Sequence, residues 1–468
     1  MDPSSFAFDK ASLMKSLLPQ PPVQTELSSP GDREQVLIID GMVGVQCLKK
    51  SHETKKLVHL KKQFIGRVKQ KANRGDYSEI RICFDDYFSR NVFKDQMRNK
   101  RTGDDHRDGE GFDFYDDMCI KRTPIADMLK ADMSKHKLTE YFALGLLDEY
   151  KGNAQVKVIV SYHGHMYINE PHNLEPEFTS HDHPEVDTQI PLHVIHTLTE
   201  NSHKHIDIYS VDTDVTTLMV DLVARNLAGP TTNIITHAGK ARAPKRIDIV
   251  KQVETIGEEK SQALLGFYDF TGNDYGHKWV GVTKERWSNR FFSLPSNHCI
   301  LKAFSSLGTL TSEECTLTAD GNLHEKIKPL EEFVCMVYDK DGPKSLPSVR
   351  WKLYSKKNKE LENLPPTRAA LVPLIQRTNH FSRIHKSYTH THPDIPPTTE
   401  NGWTKEDGTD TLQPVLCLSP PAPKSILKLV KCGCKVGDCS SKQCSCHREG
   451  LTCTSLCTCS DNCSNGHC

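Results

Sequence analysis

No stretch of this 468-residue chain comes near twenty consecutive apolar residues, and a mean hydropathy of −0.53 agrees, so a membrane-spanning helix is not expected. Net charge is lacking as well. Sixty Lys and Arg balance sixty Asp and Glu, which removes global electrostatic steering and leaves any nucleic-acid contact to local basic patches. Residues Met1 to Leu18 contain no uninterrupted apolar core and no small-residue cleavage site, so nothing marks a secretory leader. Reduced thiols are therefore expected, and the nucleus, with the cytosol as the alternative, is the expected location. No internal repeat is evident. The length allows two or three domains, and 37% hydrophobic residues suffice for one sizeable core flanked by polar segments.

What the chain does have is cysteine at one end. Ten of its 17 cysteines lie between Cys432 and Cys468, spaced C-x-C-x4-C-x4-C-x-C-x6-C-x3-C-x-C-x3-C, with Cys468 beyond. Thiolates suit soft zinc, and the pairs Cys432/Cys434, Cys444/Cys446 and Cys457/Cys459 each put two sulfurs within reach of neighbouring ions. Three tetrahedral zincs need twelve sulfur contacts, which nine cysteines supply if three of them bridge. The expected ligands are Cys432, Cys434, Cys439, Cys444, Cys446, Cys453, Cys457, Cys459 and Cys463. The spacing resembles the tesmin-type CXC domain, which implies a zinc-cluster DNA-binding module; the alternative is a disulfide knot. Lys424, Lys428, Lys431, Lys435, Lys442 and Arg448 outnumber Asp438, Glu449 and Asp461 there, giving a basic rim suited to a DNA backbone. Sequence-reading CXC domains place an aromatic or Arg just before the second C-x-C, where this chain has Ser441-Lys442-Gln443. A zinc-stabilised surface for a protein partner is the competing reading.

Ahead of the tail, residues 1–34 read as a mobile leader. Short β-branched runs then recur at Val36–Ile39, Ile80–Phe84, Val156–Val160, Ile206–Val211 and Asn233–Thr236. Helical spacing over Glu185–Leu198 and Val215–Ala224 separates the later runs, and a further helix is expected around Ile125–Tyr150. Alternation of this kind predicts a mainly parallel α/β sheet flanked by helices. Residues 103–117 read as an exposed acidic loop. The expected organisation is an α/β domain over 35–290, a helical extension over 291–389, a Pro- and His-containing linker over 390–424 and the cysteine domain over 425–468.

The acids fall at the ends of the strands. Asp40 ends the first run, Asp85 and Asp86 the second, and Asp212 and Asp214 the Ile206 run; Glu185 and Asp187 open a helix, and Asp274 sits in a Thr-Gly-Asn-Asp turn. Open α/β sheets bind ligands at that edge. Clustered carboxylates need cations, hard oxygen ligands select Mg or Mn, and two such metals activate a water against a phosphodiester. No side-chain nucleophile is then required.

Asp40, Asp85, Glu185, Asp187, Asp212, Asp214 and Asp274, taken in order, resemble the metal-site acids of the PIN-like flap-endonuclease superfamily, over roughly residues 35 to 290. The resemblance implies a two-metal nuclease acting on DNA or RNA. A resemblance over nearly the whole chain, carried by His183–Thr188, Ser210–Val215, Thr271–Asp274, Leu364–Thr367 and Gly402-Trp403, is to uncharacterised animal proteins, plausibly of mobile-element descent, that join a PIN-like domain to a cysteine-rich tail. Pro184 stands where that group usually has Glu, and Asn273 where it has Cys. Flap endonucleases follow the last Asp with a G-x-G hairpin, whereas Gly276 and Gly281 here are too far apart for one.

Plainer readings compete. An Asp at a strand end often caps a helix, as Asp214 would if a helix starts at Val215. Glu185 and Asp187 reach one site only if the helix begins after Glu185. Arg90, Lys94, Arg98 and Arg101 form a phosphate-guiding face or an ordinary solvated one, and Lys284 and Trp287 contact a strand or belong to the core. His183, beside the acids, is the one histidine with a conceivable role at a leaving group. The competing class for the whole chain is a non-catalytic protein that binds nucleic acid or a protein partner through the tail.

Overall fold

The structure, a computed structural model, describes residues 34–87, 112–200, 204–229, 231–238, 245–272, 279–357, 363–406, 411–417, 419–420, 422, 430–434, 439–454, 456–459 and 463–466. Its sheet comprises β1 (Glu34–Asp40), β2 (Tyr77–Cys83), β3 (Lys157–Tyr162), β4 (His165–Ile168), β5 (Lys204–Tyr209), β6 (Asn233–Ala238) and β7 (Lys245–Asp248). The order is β4-β3-β2-β1-β5-β6-β7. β1, β2, β3, β5 and β6 pair in parallel, and β4 and β7 close the two edges antiparallel.

Parallel strands covered on both faces read as continuous apolar runs, and Val36, Leu37, Ile38 and Ile39 are all buried. All five runs expected as strands are strands. The two edge strands escaped the sequence reading: each is four residues long, and Lys-Arg-Ile-Asp in β7 carries one apolar side chain.

Helices cover both faces. α1 (Gly41–Gln46), α2 (Leu57–Ala72) and α3 (Asp132–Glu149) lie on one side, where Phe64 and Phe142 stack at 4.9 Å within one apolar cluster. The expected helix from Ile125 is broken, since residues 125–128 form a separate turn before α3. On the other side are α4 (Val186–Glu200), α5 (Thr213–Ala224), α6 (Ile249–Ile256) and α7 (Glu258–Thr271). α8 (Lys284–Phe292), α9 (Cys299–Ser306), α10 (Lys328–Tyr338), α11 (Leu346–Lys357) and α12 (Arg368–Lys386) follow.

A single apolar cluster runs from Val36 through Phe267, Trp287, Phe304, Phe333 and Ile375 to Tyr388. Packing is therefore continuous across residue 290. α7 and α9 approach so closely that a Cβ on Gly266 would strike the Phe304 carbonyl. α12 starts from the cap at Thr367, whose Oγ1 accepts from the Ala370 N–H at 3.2 Å. It continues past Pro373 to Lys386.

Residues 390–424, read from sequence as a linker, include a ribbon of β8 (Trp403–Lys405) and β9 (Leu412–Pro414). Trp403 and Leu412 pack on Phe381 of α12, and Arg377 donates to the Gly402 carbonyl at 3.1 Å. Two apolar anchors and one buried guanidinium thus dock a segment whose prolines suggest an extended tether. The tail's own helical turn, α13 (Ser445–Arg448), lies among its cysteines.

Candidate functional site

The parallel strands bring their acids to the edge expected, and each acid is positioned by a local backbone motif. Asp40 ends β1 and caps α1, its Oδ1 accepting from the Met42 and Val43 N–H groups at 2.9 and 3.3 Å. The next residue must be small: a Cβ on Gly41 would run into the Phe84 ring. Asp85 follows β2 and its Oδ1 accepts from the Val186 N–H at 3.0 Å, at the start of α4. α4 begins just after Glu185, whose carbonyl accepts from Thr188 and Gln189 at 3.2 and 3.1 Å. The condition for Glu185 and Asp187 to serve one site is thereby met.

After β5, Asp212 is the helix cap, accepting from the Asp214 N–H at 3.1 Å. The helix starts at Thr213, so Asp214 lies in its first turn and is not the cap anticipated from sequence. Asp187, Asp212 and Asp214 each offer a carboxylate oxygen within 4.8 Å of the others. Ser210 ties this group to Asp40: its Oγ donates to Asp40 Oδ2 at 3.3 Å and accepts from the Asp212 N–H at 3.2 Å. Asp274, the seventh expected ligand, lies outside the described residues, as do Arg90, Lys94, Arg98, Arg101 and Lys435.

Burial, reinforced by the charge of Asp85, pushes the Asp40 carboxyl up to about 7, against the two backbone N–H groups and Ser210 that favour its charged form. A divalent cation would reverse that preference. The oxygens here are hard donors, and the N-termini of α4 and α5 point toward them, so the donor set suits Mg or Mn.

Residues outside the expected set also meet at this edge. Tyr268 of α7 donates its hydroxyl to Asp214 Oδ1. Its neighbour Asp269 is buried and takes a hydrogen bond from Ser382 Oγ at 2.7 Å and pairs with His385 Nδ1 at 2.9 Å. Burial would lower the His385 pKa, but the charges of Asp269, Asp214 and Glu185 outweigh it and raise the group to about 9. The signal for this set was one acid inside the apolar run Leu264–Phe270, because a buried carboxylate needs a partner. Lys284 donates to the Gly272 carbonyl at 2.9 Å and its Nζ stands 5.4 Å from the centre of the Tyr268 ring, beside the site. Trp287 is core, packed against Phe270, Trp279 and Phe333.

His183 is buried, and its Nε2 is 2.7 Å from the His390 carbonyl. With Asp182 N–H donating to the Thr391 carbonyl at 2.9 Å, it fastens the segment after α12 to the approach to α4. That is an anchoring role.

Among the described residues of the tail, the buried ones are Cys432, Cys439, Cys444, Cys446, Cys453, Cys459 and Cys463 together with Leu451 and Thr454, while Cys434 and Cys457 are half-buried. Three groups of four have their sulfurs within 4.8 Å of one another: Cys432, Cys439, Cys444, Cys453; Cys432, Cys446, Cys453, Cys457; and Cys439, Cys453, Cys459, Cys463. Sulfur separations of 3.9 Å for Cys432–Cys439, 3.8 Å for Cys444–Cys453 and 3.5 Å for Cys446–Cys457 are close to the edge of about 3.8 Å that a ZnS₄ tetrahedron with 2.3 Å bonds requires. All the described cysteines are free thiols, at variance with a disulfide knot. Cys434 falls outside the three groups, although its thiol interacts with those of Cys439, Cys432 and Cys444. Lys442 and Arg448 are exposed on the same unit.

No family model matches the chain, and no curated protein matches it in sequence. Among solved structures it is similar to the flap endonuclease of bacteriophage T5. A lysine-substituted variant of that protein, in a pseudo-enzyme-product complex with DNA and metal ions, aligns over 58% of this chain and 84% of that one at 11% identity, with a TM-score of 0.31. The T5 protein co-crystallised with metal ions aligns over the same shares at 11% identity and a TM-score of 0.30.

Proposed function

We propose that this protein is a metal-dependent nuclease that cleaves DNA or RNA phosphodiesters and is recruited to DNA, in the nucleus, by its cysteine-rich tail. The observation that carries the reading is the convergence of Asp187, Asp212 and Asp214 within 4.8 Å at the C-terminal edge of a parallel sheet. Asp40 and Asp85 lie close enough for the charge of one to act on the other. Magnesium or manganese held by these carboxylates supplies Lewis acidity and lowers the pKa of water. The chain itself contributes position: Ser210 fixes Asp40 relative to the Asp212 turn, and Tyr268 fixes Asp214. Lys284 and the basic side chains Arg90, Lys94, Arg98 and Arg101 are assigned to the substrate backbone.

In the tail the donors are soft thiolates, which suits zinc. If Cys434 takes the place of Cys453 in the first group, Cys432, Cys439 and Cys453 each serve two ions and the other six cysteines serve one. Twelve contacts then come from nine cysteines. Lys435, Lys442 and Arg448 would meet the DNA backbone from the rim of that cluster.

The test is cleavage of end-labelled single-stranded, flapped and duplex DNA and RNA by the purified zinc-loaded protein in Mg or Mn, beside Asp212→Asn. Metal-dependent products that the variant fails to make support the nuclease. A protein inert on every substrate leaves the alternative, a non-catalytic protein that binds nucleic acid or a protein partner through the tail.

A further inference from the structure

An edge lined with carboxylates draws in divalent cations but repels a phosphodiester, so a cationic side chain among them has a chemical use. His385 is one. It comes from α12, 171 residues beyond Asp214, and α12 packs across α7. Ser382 and His385, three residues apart on one face of α12, engage opposite oxygens of Asp269 at 2.7 and 2.9 Å. Asp269 is 2% exposed, so the pair is shielded from solvent. The residue before it, Tyr268, binds Asp214. One turn of α7 therefore carries both the link to the acids and the clamp on the imidazole.

The neighbouring cations are engaged elsewhere. Arg383 donates to the Gly308 and Leu310 carbonyls at 3.1 and 2.8 Å, and Lys386 donates to the Ser305 carbonyl at 2.9 Å. His385 instead places Nδ1 2.9 Å from Asp269 Oδ1, an ion pair inside the fold. It remains 9% exposed. With Nδ1 held by Asp269, the second ring nitrogen is the one available to a ligand.

Building on the nuclease reading, we infer that His385 is a substrate-contacting residue: clamped by Asp269, its ring donates from Nε2 to a non-bridging phosphate oxygen of the nucleic acid bound at the Asp187–Asp212–Asp214 edge. Asp269 and Ser382 are positioning residues for that contact. No bond is made or broken by the imidazole; it offsets charge on the phosphate that the surrounding carboxylates would otherwise repel.

The experiment uses full-length, zinc-loaded protein. His385→Gln and His385→Ala are compared with wild type for kcat and KM on end-labelled single-stranded DNA in Mn, for Mn affinity, and for the Kd of a single-stranded oligonucleotide in Ca. Asp269→Asn is the fourth protein, and thermal melts verify that each is folded. The expected result for His385→Ala is a loss in kcat/KM on the order of 10²-fold and weaker oligonucleotide binding, with His385→Gln retaining part of both and Asp269→Asn intermediate. Folded variants that bind Mn more tightly but cleave and bind DNA as wild type does would reduce His385 to an internal counter-charge and overturn the inference. An inert wild-type enzyme sinks the nuclease reading instead. The contact then stands or falls on the oligonucleotide arm, where an unchanged Kd in His385→Ala overturns it.

Discussion

The acid edge and the cysteine tail both gather side chains suited to metals, yet they stand in opposite relations to the fold. At the edge, strands buried in apolar clusters on both faces carry the carboxylates to one place, and helix caps aim them. Apolar packing holds that scaffold, and an ion would settle charge that the scaffold has concentrated. In the tail the interior is built almost entirely of the sulfurs that would bind the metal. There the site precedes the fold. A carboxylate site of the first kind tolerates loss of a ligand structurally and fails chemically; a thiolate cluster of the second kind fails structurally at once.

The sharpest break of this comparison is metal removal from the tail. Cys453→Ser, which takes away a sulfur common to all three groups, should drop the bound zinc below three per chain and unfold only residues after about 430, a loss on the order of 10 kcal/mol of metal-coupled folding energy. Zinc content and limited proteolysis read this out, and a tail that keeps three zincs and resists protease would contradict it.

Next in size is Asp212→Asn. Asn caps a helix about as well as Asp, so the melting temperature of the α/β body should hold, while Mn-dependent cleavage falls by several kcal/mol of transition-state stabilisation, on the order of 10³-fold. Equal loss of melting temperature and activity would place Asp212 in the scaffold alone.

A smaller effect separates the regions by pH. Asp40 has a folded-state pKa of about 7 against 3.8 for the free group, so between those values the folded state keeps a proton that the unfolded state has lost. Stability of the body without Mg or Mn should therefore fall as pH rises from about 4 to 7, at up to about 1.4 kcal/mol per pH unit. Asp40→Asn should flatten the profile and added Mn should recover the lost stability, as urea melts across that range would reveal. The smallest expected change is at the rim. Lys442→Ala with Arg448→Ala should weaken DNA binding several-fold and lower the salt slope by about 0.9 for each phosphate contact removed.

The central sheet was legible because parallel strands must be apolar on both faces, and the runs at Val36, Ile80 and Ile206 have little else in them. The acids were legible because they punctuate those runs. Glu185 and Asp212 were harder, since one residue's difference in where a helix starts decides whether a carboxylate caps it or stands within it. His385 was out of reach for a different reason. Nothing local distinguishes it from His380, the other histidine of α12, and only the crossing of α12 over α7, a contact between distant parts of the chain, brings it to Asp269. β8 and β9 were missed because three-residue strands carry no period long enough to read.

The apolar cluster that runs through to Tyr388 also sets a timetable for synthesis. The last strand of the sheet ends at Asp248, but the side chains that cover one of its faces keep arriving for about 140 residues more, roughly 10 s at ordinary elongation rates. Through that interval the nascent chain holds a nearly complete sheet with half its cover missing. The strands that carry the acids are finished early, whereas Ser382 and His385, which hold Asp269, come last, so a ribosome that stalls between them releases a sheet without that clamp and with an apolar face open to other chains.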